Sequence, residues 1–287
     1  MPRHAARPQL QTEERARIAL DVVRALEEDI GPGDATAGLV AADARSQARL
    51  ICKQDEAVLA GRDWFETCFR ALDPEIRIDW QAEDGQWLQQ GECVCRIEGR
   101  SRALLSAERS AINFLQTLSA TATVTAAYVG AVAGTRARIL DTRKTLPGLR
   151  LAQKYAVRCG GGHNHRLGLY DAVMVKENHI AAAGGIAAIV ARARAERPGL
   201  PVIVEVENFD ELAQAIEARA DRILIDDFSL DDMRRAVEFS AGRVPLEVSG
   251  GVDLRGVRAI AETGVDCISI GGLTKHVQAI DFSLRLD

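Results

Sequence analysis

Residues 201–227 read PVIVEVENFDELAQAIEARADRILIDD, and the reading of this stretch decides the fold. It opens on an apolar run, Val202-Ile203-Val204, passes through a helical pattern over residues 210–218, and returns to a second apolar run, Arg222-Ile223-Leu224-Ile225. Two strand-like runs joined by a helix form a βαβ unit with parallel strands. Such strands are covered on both faces, which is why they lack the polar alternation of a half-exposed strand. The same grammar extends in both directions. Upstream lie residues 137–140 and 172–175; downstream, after a helical pattern over 230–239, lie 245–248 and 267–270.

Each of these runs ends in a charged residue or a glycine turn. In order they are Asp141-Thr142-Arg143-Lys144, Lys176, Glu205 with Glu207, Asp226-Asp227, Ser249-Gly250-Gly251 and Gly271-Gly272. An open doubly wound sheet gathers its ligand at one switch point, whereas a β/α barrel draws on the carboxyl end of every strand. The pattern therefore predicts a barrel of about six strands. Residues before 136 have a different grammar. A helix is expected over 13–29, ending at Gly31-Pro32-Gly33, then strand-like runs at 48–52, 76–80 and 93–97 around a helix at 64–72. A long helix over 106–132 leads into the barrel.

Bulk properties exclude several classes. At 287 residues the chain is long enough for one large domain and a smaller one. A net charge of −5 argues against nucleic acid as a partner. No run of ~18 apolar residues is present to span a membrane. Residues 1–12 are basic and polar without an apolar core, which reads as a loose start and not an export signal. The six cysteines have neither CxxC pairs nor zinc-ligand spacing, so they are expected as small buried hydrophobes in a reducing, cytoplasmic protein. Cys93 and Cys95 would share one strand face.

The strand ends point to an anionic ligand. Arg143, Lys144, Arg166 and Lys176, with His165, would repel one another unless a ligand with several carboxylates or phosphates lay among them. Gly250-Gly251 and Gly271-Gly272 allow close backbone approach to a phosphate. Glu205 and Asp226 can hold a divalent cation, stabilise a cationic transition state or pair with the lysines, and spacing does not choose between Glu205 and Glu207. Gly160-Gly161-Gly162-His163-Asn164-His165-Arg166 reads as a flexible loop delivering His165 and Arg166; ligation of a metal by its histidines, with His179, stays open. So do a Schiff-base lyase using Lys176 and a non-catalytic phosphate-ligand sensor.

Longer segments carry a family resemblance. They are Glu28-Asp29-Ile30-Gly31-Pro32-Gly33-Asp34-Ala35-Thr36, Glu108-Arg109-Ser110-Ala111-Ile112-Asn113-Phe114-Leu115-Gln116, and Asp141-Thr142-Arg143-Lys144-Thr145-Leu146-Pro147-Gly148-Leu149-Arg150. Lys154-Tyr155-Ala156-Val157, Asn164-His165-Arg166-Leu167-Gly168-Leu169-Tyr170-Asp171 and Lys176-Glu177-Asn178-His179-Ile180 follow. From about residue 13 to 286 the chain resembles the bacterial quinolinate phosphoribosyltransferases. Two same-fold branches, a molybdenum-operon paralogue and a non-decarboxylating nicotinate enzyme, fit Tyr170-Asp171 and residues 176–179 less well.

The resemblance implies an incomplete six-stranded α/β barrel (residues 118–275) with an N-terminal α/β sandwich domain (residues 1–117) that residues 276–287 rejoin. It implies phosphoribosyl transfer from phosphoribosyl diphosphate to quinolinate, with loss of CO₂, in NAD biosynthesis. It implies a homodimer, or a higher assembly built on one, with shared sites, in which Arg109 reaches into the partner's site. Thr142, Arg143, His165, Arg166 and Lys176 match the substrate-facing positions, and Lys144, Glu205 and Asp226 the phosphoribosyl diphosphate and Mg²⁺ side. The metal would be held weakly or through the diphosphate. Ser249, Gly250, Gly251, Gly271 and Gly272 match phosphate-binding turns. The chain departs from the family at Lys275-His276, at Asp227, where Asn is common, and at Ala120-Thr121-Ala122-Thr123.

Overall fold

A computed structural model describes residues 8–287; residues 1–7, part of the basic start, lie outside the described residues. The chain runs through α1 (Thr12–Ile30), β1 (Arg45–Cys52), β2 (Glu56–Val58), α2 (Arg62–Leu72), β3 (Arg77–Trp80), β4 (Trp87–Gln89), β5 (Cys93–Arg100) and α3 (Ser101–Ala131). It continues through β6 (Arg138–Leu140), α4 (Arg150–Cys159), β7 (Val173–Val175), α5 (Glu177–Ala183), α6 (Ile186–Glu196), β8 (Val202–Val206) and α7 (Phe209–Glu217). The last elements are β9 (Arg222–Ile225), α8 (Leu230–Ser240), β10 (Leu246–Val248), α9 (Val257–Ala261), β11 (Cys267–Ser269), α10 (Gly272–Lys275) and β12 (Phe282–Leu286). No helix among the described residues is long and apolar enough to cross a membrane.

Two compact units result. The first holds the described residues through Ala126, together with Thr145–Gly161 and Leu273–Asp287. Its main sheet has the order β12-β1-β5-β3, all antiparallel, and β2 pairs with β4 beside it. In α1, Ile18, Val22 and Leu26 recur every four residues and are buried, so one stripe of the helix faces the core. Gly31, at φ 53°, ends it. Trp64, Phe65, Phe69 and Tyr155 are fully buried in this core, each contributing on the order of 2–3 kcal/mol by area. Cys52, Cys68 and Cys95 are buried here too, and burial pushes the Cys68 thiol up to about 12.

Helix α4 was not foreseen in the sequence, and its polar residues do not mark a solvent-facing side. Gln153, Lys154, Tyr155, Ala156 and Val157 are all buried, so the polarity of its residues does not map onto exposure. Its polar groups are satisfied one by one. Gln153 donates to the Thr274 carbonyl (2.8 Å) and accepts from the Leu146 amide (2.8 Å), and the Tyr155 hydroxyl donates to Asp84 (2.7 Å). Arg158 grips the buried Glu14 of α1 through two contacts of 2.7 Å. Helix α3 begins at Ser101, directly after β5, with no turn residue to announce it.

The second unit, Ala127–Lys144 and Gly162–Gly272, holds six parallel strands in the order β6-β11-β10-β9-β8-β7. Strands β6 and β7 are consecutive in the chain yet form opposite edges of the sheet. This is the α/β barrel left open by one seam. On the outer edge of β6, a bridge between Leu140 and His163 occupies part of the free hydrogen-bonding rim.

The glycine run 160–162, where the sequence suggested a loop, spans a boundary between the units. Gly160 and Gly161 belong to the first unit and Gly162 to the second. A Cβ on Gly160 would lie 2.4 Å from the Ala122 carbonyl oxygen and 2.6 Å from the Thr125 Cβ, so this glycine lets α4 end hard against α3. Gly160→Ala is therefore expected to destabilise the first unit by about 1–3 kcal/mol through overpacking, read as a lower urea midpoint.

Candidate active site

Parallel strands end on one side, so the second unit collects its strand termini there by geometry alone. The inner face of β7, β8 and β9 carries an apolar cluster of Ala172, Ile203 and Leu224, with Met174 packed against it. Glu205 follows Ile203 by two residues and so shares that face. Glu205 and Glu247 are both register partners of Leu224, on β8 and β10, which puts both carboxylates on the same face with Leu224 between them.

Lys176 Nζ lies 2.5 Å from Glu205 Oε2, joining the ends of β7 and β8. Glu207, exposed beyond β8, instead accepts no such pair; its amide donates to Glu211 (2.9 Å). The structure thereby separates two residues that spacing had left equivalent. Asp226, at the end of β9, has its carboxyl raised above the usual aspartate range by burial, then by the charges of Glu205 and Asp227. No group of three or more His, Cys, Asp or Glu converges to cage a metal among the described residues. What Glu205 and Asp226 fit is a cation that takes its other oxygen ligands from substrate and water.

The cationic side is held by a braced loop. Asp141, fully buried after β6, accepts from the His165 amide (2.8 Å) and from Asn164 Nδ2 (2.6 Å). Asp171 accepts from the amides of Leu167 (2.6 Å) and Gly168 (2.9 Å). Arg166 emerges between these anchors, its Nη1 donating to the Ala172 carbonyl (3.3 Å). Burial lowers the Arg166 guanidinium below its ordinary range, and the charge of Arg143 lowers it further. Arg143 and Arg166 are therefore brought together. His179 is drawn elsewhere, its Nδ1 accepting from the Lys176 amide (3.1 Å), and His163 is exposed.

The glycine turns differ from one another. Gly250 and Gly251 have φ of 93° and 56°, a conformation that favours glycine, and a Cβ on Gly250 would approach Asp226 Oδ1 to 3.2 Å. Gly271 has ordinary φ but lies against Lys144, whose Cδ would be 2.9 Å from an added Cβ, and near the Thr142 hydroxyl. Strands β6 and β11 thus bring Thr142, Lys144 and Gly271 to one place, with Ser249 at the end of neighbouring β10. Arg109 is exposed on α3 in the first unit. Sequence reading missed Asp141 as an anchor and missed Glu247 altogether; the signal for Glu247 was a lone charge inside the apolar run 245–248.

Comparison with known proteins decides the lineage. The C-terminal domain model of quinolinate phosphoribosyl transferase matches residues 121–285, and the N-terminal domain model matches residues 34–119. The chain belongs to the quinolinate phosphoribosyl transferase family. Among its relatives, the nicotinate-nucleotide pyrophosphorylase [carboxylating] of Mycobacterium leprae is 40% identical over 92% of this chain and 95% of its own length. The probable nicotinate-nucleotide pyrophosphorylase [carboxylating] of Bacillus subtilis is also 40% identical, over 90% of this chain and 89% of its own. A solved nicotinate-nucleotide pyrophosphorylase from Francisella tularensis is 45% identical and superposes with a TM-score of 0.93 over 99% of this chain and 100% of that one. Human nicotinic acid phosphoribosyltransferase shares the fold at 15% identity, with a TM-score of 0.59 over 97% of this chain and 74% of that one.

For this member of the quinolinate phosphoribosyl transferase family, the raised Asp226 carboxyl has a thermodynamic consequence. A carboxyl whose folded pKa exceeds its unfolded one costs stability once it ionises. Its contribution is full below the unfolded value of ~3.9 and declines as pH rises through the folded value. Asp226→Asn is expected to raise the thermal midpoint at pH 7, with the gain vanishing by about pH 3. A midpoint gain independent of pH would contradict the electrostatic origin.

Proposed function

We propose that this chain transfers the phosphoribosyl group of phosphoribosyl diphosphate to quinolinate, with decarboxylation, giving nicotinate mononucleotide, diphosphate and CO₂ in NAD biosynthesis. The observation that carries the reading is the division of one strand-end site into two halves of opposite charge. Arg143 and Arg166 make a basic half, Glu205 and Asp226 an acidic half, and Lys176 bridges to the latter through Glu205. Quinolinate is a dianion and suits the basic half, where guanidinium groups bind carboxylates in bidentate fashion. The names of relatives at about 40% identity, nicotinate-nucleotide pyrophosphorylase [carboxylating] and quinolinate phosphoribosyltransferase [decarboxylating], describe the same reaction.

In this reading the C1–oxygen bond to diphosphate breaks as the pyridine nitrogen bonds to C1. The nitrogen is its own nucleophile, so no Ser or Cys nucleophile is required. The ribose gains oxocarbenium character, which the Glu205 and Asp226 carboxylates stabilise. Lys144 and the amides around Ser249-Gly250-Gly251 and Gly271-Gly272 receive the phosphates, with Thr142 beside them. The ribosylated ring, now cationic, stabilises the electron pair left on the ring carbon as the adjacent carboxylate leaves as CO₂, and that carbon then takes a proton from water. Mg²⁺, held by the diphosphate and weakly by Glu205 and Asp226, would supply neutralising charge to the leaving group. The active form is a cytoplasmic homodimer, or a higher assembly built on one, in which exposed Arg109 completes the partner's basic half.

Two experiments test this. Labelled quinolinate and phosphoribosyl diphosphate should yield labelled CO₂ with the wild-type protein, with Lys176→Ala slowing turnover at least 100-fold by leaving Glu205 without its cation. Absence of CO₂ release would sink the assignment. Mixed dimers of Arg109→Ala and Lys176→Ala chains should regain up to about one-quarter of wild-type activity, since one site per mixed dimer is intact and mixing is statistical. Inactivity of verified mixed dimers would show that Arg109 does not act across subunits.

A further inference from the structure

Glu247 sits in the middle of β10, fully buried, a position where a carboxylate needs partners to remain charged. Its Oε2 accepts from Arg222 Nη1 at 2.9 Å, and its Oε1 lies 3.3 Å from His165 Nε2. On the other side of the imidazole, Nδ1 accepts the backbone amide of Arg166 at 2.7 Å. That acceptor role puts the proton of the neutral ring on Nε2, facing Glu247. The result is a chain of contacts running from Arg222 through Glu247 and His165 to the backbone of Arg166. His165 is only 9% exposed, so the ring is a buried strut: Nδ1 holds the Arg166 amide, and Nε2 lies against a Glu247 Oε1 that completes no hydrogen bond among the described residues.

We infer that Glu247 is a positioning residue for the basic half of the site, acting through His165 to hold Arg166 where a substrate carboxylate will bind. The physical need is repulsion. Arg166 and Arg143 are neighbours of like charge, and burial strengthens their mutual effect. Left to itself, the loop bearing Arg166 would relax away from Arg143 until ligand arrived. Asp141 grips the same loop from the end of β6, through the His165 amide and Asn164. Two buried carboxylates, one just after β6 and one within β10, thus clamp residues 164–166 before any anion binds. Holding two guanidinium groups together in advance transfers an ordering cost from binding to folding, and the gain appears as tighter binding of the dianion.

The inference rests on the quinolinate reading above, and a double-mutant cycle keeps the two separable. Glu247→Gln and Glu247→Ala, each alone and combined with Arg166→Ala, would be measured for quinolinate dissociation constant by calorimetry and for steady-state constants of both substrates. Glu247→Gln is expected to weaken quinolinate binding roughly 10-fold and Glu247→Ala more, with kcat and the KM for phosphoribosyl diphosphate changing less than about 2-fold. In the Arg166→Ala background either change should add less than about 2-fold, because the group it positions is gone. Full additivity, or unchanged quinolinate binding beside a lowered thermal midpoint, would overturn the positioning role while leaving the reaction intact. Wild-type protein that neither binds nor consumes quinolinate would overturn the functional reading itself. If Glu247→Ala fails to fold, the isosteric Glu247→Gln cycle decides alone.

Discussion

Strand direction is the constraint on which the second unit depends. Six strands run parallel, so their carboxyl ends meet on one side, and side chains two apart share a face. Glu205 and Glu247 follow from this arithmetic, both in register with Leu224 and both turned to the same face. The apolar cluster of Ala172, Ile203 and Leu224 gives that face little water. Charges placed there feel one another strongly, and the structure answers with pairs, Lys176 to Glu205 and Arg222 to Glu247, with the His165 ring packed against the second. Two like-charged neighbours stay side by side at the strand ends, Arg143 with Arg166 and Asp226 with Glu205, each raising the cost of the other's charge.

How much of this was legible depended on whether an element carries its own pattern. The six buried strands announced themselves because a strand covered on both faces is written as an uninterrupted apolar run, and the charges ending each run marked the candidate site. Helices α1, α7 and α8 were legible from their apolar stripes. Helix α4 was not, since it is buried almost all round and spends polar residues, Gln153 and Lys154, inside the core. The three-residue strands β2 and β4 are too short to show a period, and β12 pairs with β1 across more than two hundred residues of chain, a contact with no local signature.

Legibility also failed for residues that act through others. Arg166 and Lys176 could be nominated because a cation after an apolar run has few other reasons to be there. Asp141 acts by accepting hydrogen bonds from, and Glu247 by lying against, a loop more than twenty residues away in sequence. Nothing in a linear pattern connects Glu247 to His165; only the return of the chain to the barrel does. Family resemblance transfers residue roles position by position, and it nominates the groups at the mouth more readily than the supports beneath them.

Asp227 separates backbone from charge in this site. Its φ of 57° lies in the left-handed region, which asparagine and aspartate tolerate better than most residues. Aspartate in place of the asparagine common in the family therefore preserves the turn after β9. What it changes is electrostatic, because its carboxylate joins Glu205 in raising the Asp226 carboxyl. An acidic half made more acidic is less comfortable empty and more attractive to a cation or to a ribose carrying positive charge. The basic half is strained in the opposite sense, with Arg143 pressing on Arg166. A reaction whose partners bring a dianion to one half and a developing cation to the other relieves both at once, so the same charges that weaken the empty fold favour the transition state over either substrate alone.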